Sequence, residues 1–266
     1  MRAALLGIGW DDHSSHARGP ANAPAVIREA LWDDAGNRFS TALVDALSED
    51  NLVDRGDVAL VGDDRDVDLI TSAAAAVLAR GEGLLALGGD HAVTYPLMRA
   101  VAATYPGVRI VHIDAHPDLY DDFEGDPLSH ASPFARIMEQ GLATQLIQIG
   151  IRADTPHLRQ QAARFGVQSF APDRIGEALQ AVAALGEGPV YLSFDLDGLD
   201  PAFAPGVNHY EPGGLTVREA LAVIHALPGQ LVGADIVELV PDRDLQQATA
   251  KVAARLVKEI IARMAG

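Results

Sequence analysis

The residues best equipped for chemistry in this 266-residue chain are acids and histidines gathered in short, closely spaced groups. Asp114, His116 and Asp118 stand in DAHPD (114–118), and Asp195, Asp197 and Asp200 in SFDLDGLDP (193–201). His91 follows Gly-Gly-Asp, and Glu238 lies in GADIVEL (233–239). A spacing of two places Asp114, His116 and Asp118 on one side of an extended segment, and Asp195 with Asp197 likewise. Carboxylates held that close repel one another, and burial penalises each, whereas a divalent cation reverses the sign of the interaction. Oxygen and imidazole donors without sulfur favour Mn²⁺, Mg²⁺, Fe²⁺ or Zn²⁺. Two histidines and four aspartates are too many ligands for one closed ion. They suit two ions that share carboxylates and a water or hydroxide. Taken singly, an Asp-x-Asp is usually a solvated loop, and a histidine after Gly-Gly usually caps or packs. Their conjunction at the ends of apolar strands points to metal.

The elements that must position these groups alternate along the chain. Strands are expected at 3–9, 84–89, 108–114, 145–151, 166–170, 189–197 and 230–239, with helices over 20–32, 67–80, 94–105, 132–140, 155–165, 173–185 and 244–265. Thr216 and Glu219 fit a capping box that opens a further helix, TVREALAVIHAL. Residues 33–66 read as a loop excursion around one short strand, DVALV (57–61). Alternating strands and helices, with nearly continuous apolar strands, imply a parallel sheet covered on both faces. Ligands bind such sheets beyond the carboxyl ends of the strands, where the acids and histidines fall. No repeat or linker divides the chain, so residues 1–266 read as a single domain.

Composition narrows the function classes. Twenty basic residues against 37 acidic ones give a net charge of −17, which disfavours binding to nucleic acid or anionic membranes. With no cysteine, disulfides, thiolate metal sites and a cysteine nucleophile are excluded. No apolar run is long enough for a membrane span. No signal peptide is read in MRAALLGIGW, so a cytoplasmic protein is expected.

The segments GGDH (88–91), DAHPDLYDDFEGDPLSHASPFARIMEQG (114–141), QIGIR (148–152), SFDLDGLDPAFAPGVNHYEPGGLT (193–216) and GADIVELVPDRD (233–244) resemble the ureohydrolase family of arginases and agmatinases. FEG, SHAS-FARIME and AFAPGV-H-EPGGL, with HSS-x-x-RGPA-x-AP-x-x-IREA (13–30), most resemble its plant-type, agmatinase-like arginases. The resemblance implies a three-layer α/β/α fold with a mostly parallel central sheet and two Mn²⁺ per subunit. It assigns one ion to His91, Asp114, Asp118 and Asp195, and the other to Asp114, His116, Asp195 and Asp197. It further implies a homo-oligomer, a trimer or hexamer, acting on a small cationic guanidino substrate.

The implied reaction hydrolyses a guanidinium to urea and an amine, with arginine the expected substrate. Agmatine, hydroxyarginine and guanidinobutyrate are the alternatives. Glu238 would pair with the planar guanidinium, His130 would protonate the departing amine, and Asp118 would orient the nucleophile. Asp126 stands where the family pattern commonly has Asn. Facing the substrate's carboxylate, it would favour agmatine. Asp90 is expected to orient His91, Asp200 to shape a turn, His112 to pack in the core, and His209 and Glu211 to line the entrance. A single-metal deacetylase-like enzyme and a non-catalytic guanidino-binding protein are the other readings, and the complete ligand set disfavours both.

Overall fold

The computed structural model describes residues 1–266. Its strands are β1 (Ala3–Gly7), β2 (Leu52–Asp57), β3 (Gly83–Leu87), β4 (Arg109–Ile113), β5 (Gln145–Ile149), β6 (Gln168–Phe170), β7 (Pro189–Asp195) and β8 (Gln230–Val237). The helices are α1 (Ala23–Leu31), α2 (Asp66–Leu78), α3 (Thr94–Thr104), α4 (Pro133–Glu139), α5 (Pro156–Phe165), α6 (Ile175–Ala183), α7 (Val217–Ala226) and α8 (Ala248–Ala265). The strands form one sheet in the order β2-β1-β3-β8-β7-β4-β5-β6. Every pairing is parallel, so the expected mostly parallel sheet is parallel throughout.

Side chains alternate between two cores because a strand's period is two. On β3, Leu85 and Leu87 face a core shared with α1, α6, α7 and α8, while Leu84 and Ala86 face one shared with α2, α3, α4 and α5. This gives helix, sheet and helix layers. The capping box at Thr216 and Glu219 opens α7 as expected.

One expected strand is displaced. DVALV (57–61) lies beyond β2, which runs from Leu52 to Asp57. β2 is an edge strand bonded only to β1, and its later side chains are exposed, so neither face demands apolar residues. Val58 and Leu60 instead pack against the second core from the following loop.

Chain order and sheet order diverge at the centre. β3 and β4 are consecutive in sequence, yet β8 and β7 lie between them. The last two strands therefore bring their carboxyl ends between those of β3 and β4. His91 follows β3, Asp114, His116 and Asp118 follow β4, Asp195 ends β7 and Glu238 follows β8.

Candidate metal centre and substrate site

The close spacing of the acids works through the backbone. Asp114 Oδ1 accepts from His116 N at 2.6 Å, Asp195 Oδ1 from Asp197 N at 2.8 Å, and Asp90 Oδ1 from Ala92 N at 3.0 Å. Each aspartate holds the amide two residues on, which folds the chain back as a strand ends. Asp195 and Asp197 thus meet across a 3-10 turn, not along an extended segment. Asp118 and Glu238 go further, with left-handed backbones at φ 50° and 66°, a conformation that costs a non-glycine residue about 1–2 kcal/mol.

These turns bring all six proposed ligands together. His91 Nδ1 lies 3.0 Å from Asp114 Oδ2, 3.0 Å from Asp118 Oδ2 and 3.2 Å from Asp195 Oδ2. His116 Nδ1 lies 3.1 Å from Asp197 Oδ2 and 3.4 Å from Asp114 Oδ1. Asp114 stands between the two groups and presents one oxygen to each.

The fit to cations is visible at His91. Its Nδ1 is buried and makes no hydrogen bond, although three carboxylate oxygens surround it. A ring nitrogen and carboxylate oxygens converging on one point form a donor set for a hard or borderline divalent ion. Without one, the charges are in conflict. Burial, with Asp197 and Asp114 beside it, pushes the Asp195 carboxyl far above its ordinary range. Burial and Asp114 outweigh His116 at Asp197 and move it to about 6. At His91 burial opposes a charge, but Asp114, Asp118 and Asp195 outweigh it and hold the proton well above the ordinary range.

The site opens into a cavity of about 160 Å³, the size of a small molecule. Ser15, His116, Asp118, Asp195, Asp197, His130, His209 and Glu238 form its polar part, and Tyr120, Phe123, Ala131, Ala153 and Leu158 an apolar wall. Glu238 Oε1 accepts from His91 N at 3.0 Å and from His130 Nδ1 at 2.8 Å. Glu238 Oε2 is buried without a partner. Burial alone would raise the Glu238 carboxyl, but His130 and the His91 amide hold it below its ordinary value. At His130 burial is likewise overcome by Glu238, with help from Asp90 and Asp118, which pushes the ring up to about 9.

Other expectations change. Asp126 does not line the cavity. Its Oδ2 pairs with His13 Nδ1 at 2.7 Å and its Oδ1 accepts from Leu128 N at 2.8 Å, so both oxygens are committed to the loop. Asp90 does not touch the His91 ring. It caps the turn after β3 and accepts from Ser14 Oγ at 3.0 Å. His112 does more than pack, although it stacks on Phe134 at 4.0 Å, because its Nε2 lies 2.7 Å from Asp114 Oδ2. Asp200 shapes a turn as expected, accepting from the amides of Ala202, Gly213 and Gly214. His209 lines the cavity and Glu211 does not.

Sequence reasoning missed Ser15, which meets His130 Nε2 through Oγ at 2.8 Å and N at 3.2 Å. It also passed over Ser193, which lies 2.9 Å from His91 Nε2, and Gln148, which lies 3.1 Å from His112 Nδ1. The available signal was strand periodicity: a polar residue inside an apolar strand, as at Ser193 and Gln148, needs a buried partner.

Known proteins resemble the chain over nearly its whole length. The Arginase family model matches residues 1–262. The chain is 45% identical to "Arginase 1, mitochondrial" of Oryza sativa subsp. indica, over 98% of this chain and 81% of the rice protein. It is 32% identical to the agmatinase of Bacillus subtilis (strain 168), over 97% of this chain and 90% of that protein. The solved arginase from Medicago truncatula superimposes with a TM-score of 0.93 at 40% identity, covering 99% of this chain and 87% of the other. The mitochondrial name of the rice relative overturns the cytoplasmic expectation. No helix is long and apolar enough to cross a membrane.

Proposed function

Because the chain belongs to the arginase family, we propose that it is a metal-dependent arginase, with two Mn²⁺ held by His91, Asp114, His116, Asp118, Asp195 and Asp197, that hydrolyses L-arginine to L-ornithine and urea. The carrying observation is Glu238 Oε2, a buried carboxylate oxygen with no partner on the wall of a cavity lined by the proposed ligands. An unpaired buried acceptor is costly, and a guanidinium N–H is the donor that completes it. The greater similarity to the rice arginase than to the bacillar agmatinase supports arginine. One observation favours agmatine as a second reading: no Lys or Arg lines the cavity to meet an α-carboxylate.

When bound, the two ions neutralise the carboxylates and lower the pKa of water so that a nucleophile exists at neutral pH. The protein's own part is positioning. Glu238 is fixed by the His91 amide and His130, and holds the guanidinium carbon in place for attack. Asp118 accepts a hydrogen bond from the attacking water and aims it. A C–O bond forms, the bond from carbon to the alkyl nitrogen breaks, and His130 supplies the proton that the departing amine needs. Ser15 suits both states of that ring. Its Oγ accepts from the protonated Nε2, and its backbone N–H donates to the neutral one.

The same proposal treats residues 1–266 as one unit of a trimeric or hexameric homo-oligomer, which sedimentation would size. The functional test is urea release from arginine and from agmatine with Mn²⁺ added. We expect kcat/KM at least about 10-fold higher for arginine, equivalent to ~1.4 kcal/mol. A preference for agmatine overturns the substrate, and no urea from either, or from hydroxyarginine and guanidinobutyrate, overturns the reaction.

A further inference from the structure

Asp235 lies in β8, three residues before Glu238, and is fully buried. No cationic side chain meets it. Instead three hydroxyls converge on it. Ser193 Oγ donates to Oδ1 at 2.7 Å, while Tyr191 Oη at 2.7 Å and Thr94 Oγ1 at 3.0 Å donate to Oδ2. A hydroxyl has one proton to give. Because Ser193 gives its proton to Asp235, it can only accept from its other neighbours, and of these Thr94 Oγ1, at 3.4 Å, turns its own hydrogen to Asp235, which leaves His91 Nε2 at 2.9 Å. His91 must then carry hydrogen on Nε2. When only one nitrogen is protonated, the Nδ1 lone pair is left facing Asp114, Asp118 and Asp195. An imidazole can serve a cation only through such a bare nitrogen.

We propose that Asp235 is a positioning residue for the metal centre, setting through the Ser193 hydroxyl which nitrogen of His91 is free to bind an ion. The inference rests on the metal-centre reading above. It extends that reading to residues that touch neither ion nor substrate. Its distinctive content is polarity. Asp235→Asn keeps the shape of the side chain but must place an NH₂ somewhere. The two donors at Oδ2 keep the amide oxygen there, so the NH₂ faces Ser193. Ser193 then accepts from Asn and turns its own hydrogen towards His91 Nε2. That drives the His91 proton to Nδ1, where it competes with the ion. The isosteric variant is therefore expected to be worse for metal binding than outright deletion of the hydroxyl.

The test is Mn²⁺ binding to the purified protein, with free Mn²⁺ counted by electron paramagnetic resonance and no substrate present. Ser193→Ala is expected to weaken one of two bound ions about 10- to 100-fold, with Ser193→Thr restoring most of the loss and Asp235→Asn exceeding it. In a His91→Asn background, which lacks the ring to be oriented, Ser193→Ala is expected to change Mn²⁺ affinity less than about two-fold. Equal weakening in both backgrounds, or Asp235→Asn milder than Ser193→Ala, overturns the positioning role. So does an unaltered isotherm in Ser193→Ala when the wild type binds two ions. A wild type that binds no Mn²⁺ overturns the metal-centre reading itself.

Discussion

Glu238 divides its carboxylate between two tasks. Oε1 is held by the His91 amide and His130, and Oε2 is left without a partner. Glu238→Gln separates charge from shape, since an amide oxygen can still accept from the His91 amide. We expect kcat/KM to fall about 100-fold or more, ~2.7 kcal/mol of lost stabilisation, with a smaller fall in melting temperature near neutral pH as His130 loses its charged partner. Steady-state kinetics beside thermal unfolding checks this, and retention of activity removes Glu238 from the substrate site. At this scale the sequence was informative where residue type alone is diagnostic. All six proposed ligands meet, because few arrangements other than a cation site tolerate so many acids at strand ends. It was uninformative where function depends on what a side chain faces. Asp126 is committed to His13 and its own loop, and Ser15 reaches His130 across 115 positions. Neither partner is implied by local spacing.

At the scale of elements, the site is made by loops that leave the sheet and press on one another. Gly89 shows how closely. A Cβ there would come 1.7 Å from Trp10 O, because the backbones after β1 and β3 continue to pair, with Gly89 N donating to Ile8 O and Asp90 N to Trp10 O. That pairing carries residues 11–19, and so Ser14 and Ser15, over Asp90 and His130. Gly89→Ala is expected to destabilise the protein by about 1–3 kcal/mol through overpacking and to reduce activity more than stability, as read by unfolding and urea assays. An intact site in that variant means that the two loops part without consequence. Strands and helices were legible because buried strands must be apolar and the helices show one apolar face. β2 escaped because an edge strand exposed on its outer residues needs no such pattern.

For the whole molecule, the metal-free state links charge to pH. Burial opposes protonation of His91, His116 and His130, but neighbouring carboxylates prevail in each case. They carry His116 to about 12 and His130 to about 9, and His91 is also well above 6.5. Between pH 6.5 and 9 the folded protein therefore keeps protons that the unfolded chain releases, and stability falls as pH rises, by on the order of 1 kcal/mol per pH unit for each such ring. His112 and His209, lowered chiefly by burial, oppose this trend only below 6.5, and Asp114 and Glu238 only in the acid range. Calorimetry in chelator should show the melting temperature declining across that window, and Mn²⁺ should flatten or reverse the slope. A metal-free protein indifferent to pH there contradicts the arrangement of charges. The net charge of −17 thus has a small local share that cations are expected to offset, and a larger share spread over the surface.

The left-handed backbones of Asp118 and Glu238 carry a consequence for descent. The backbone gives no reason to keep an acid at either position, and the contacts of Asp118 with His91 and of Glu238 with His130 stand against its loss. Glycine or asparagine would sit there with less strain. A copy of this chain released from its task would be free to accept such replacements, trading a strained backbone for the lost contacts to His91 and His130. Both acids stand beside the five other proposed ligands, so the backbone strain falls where a carboxylate is needed for chemistry and not for the fold.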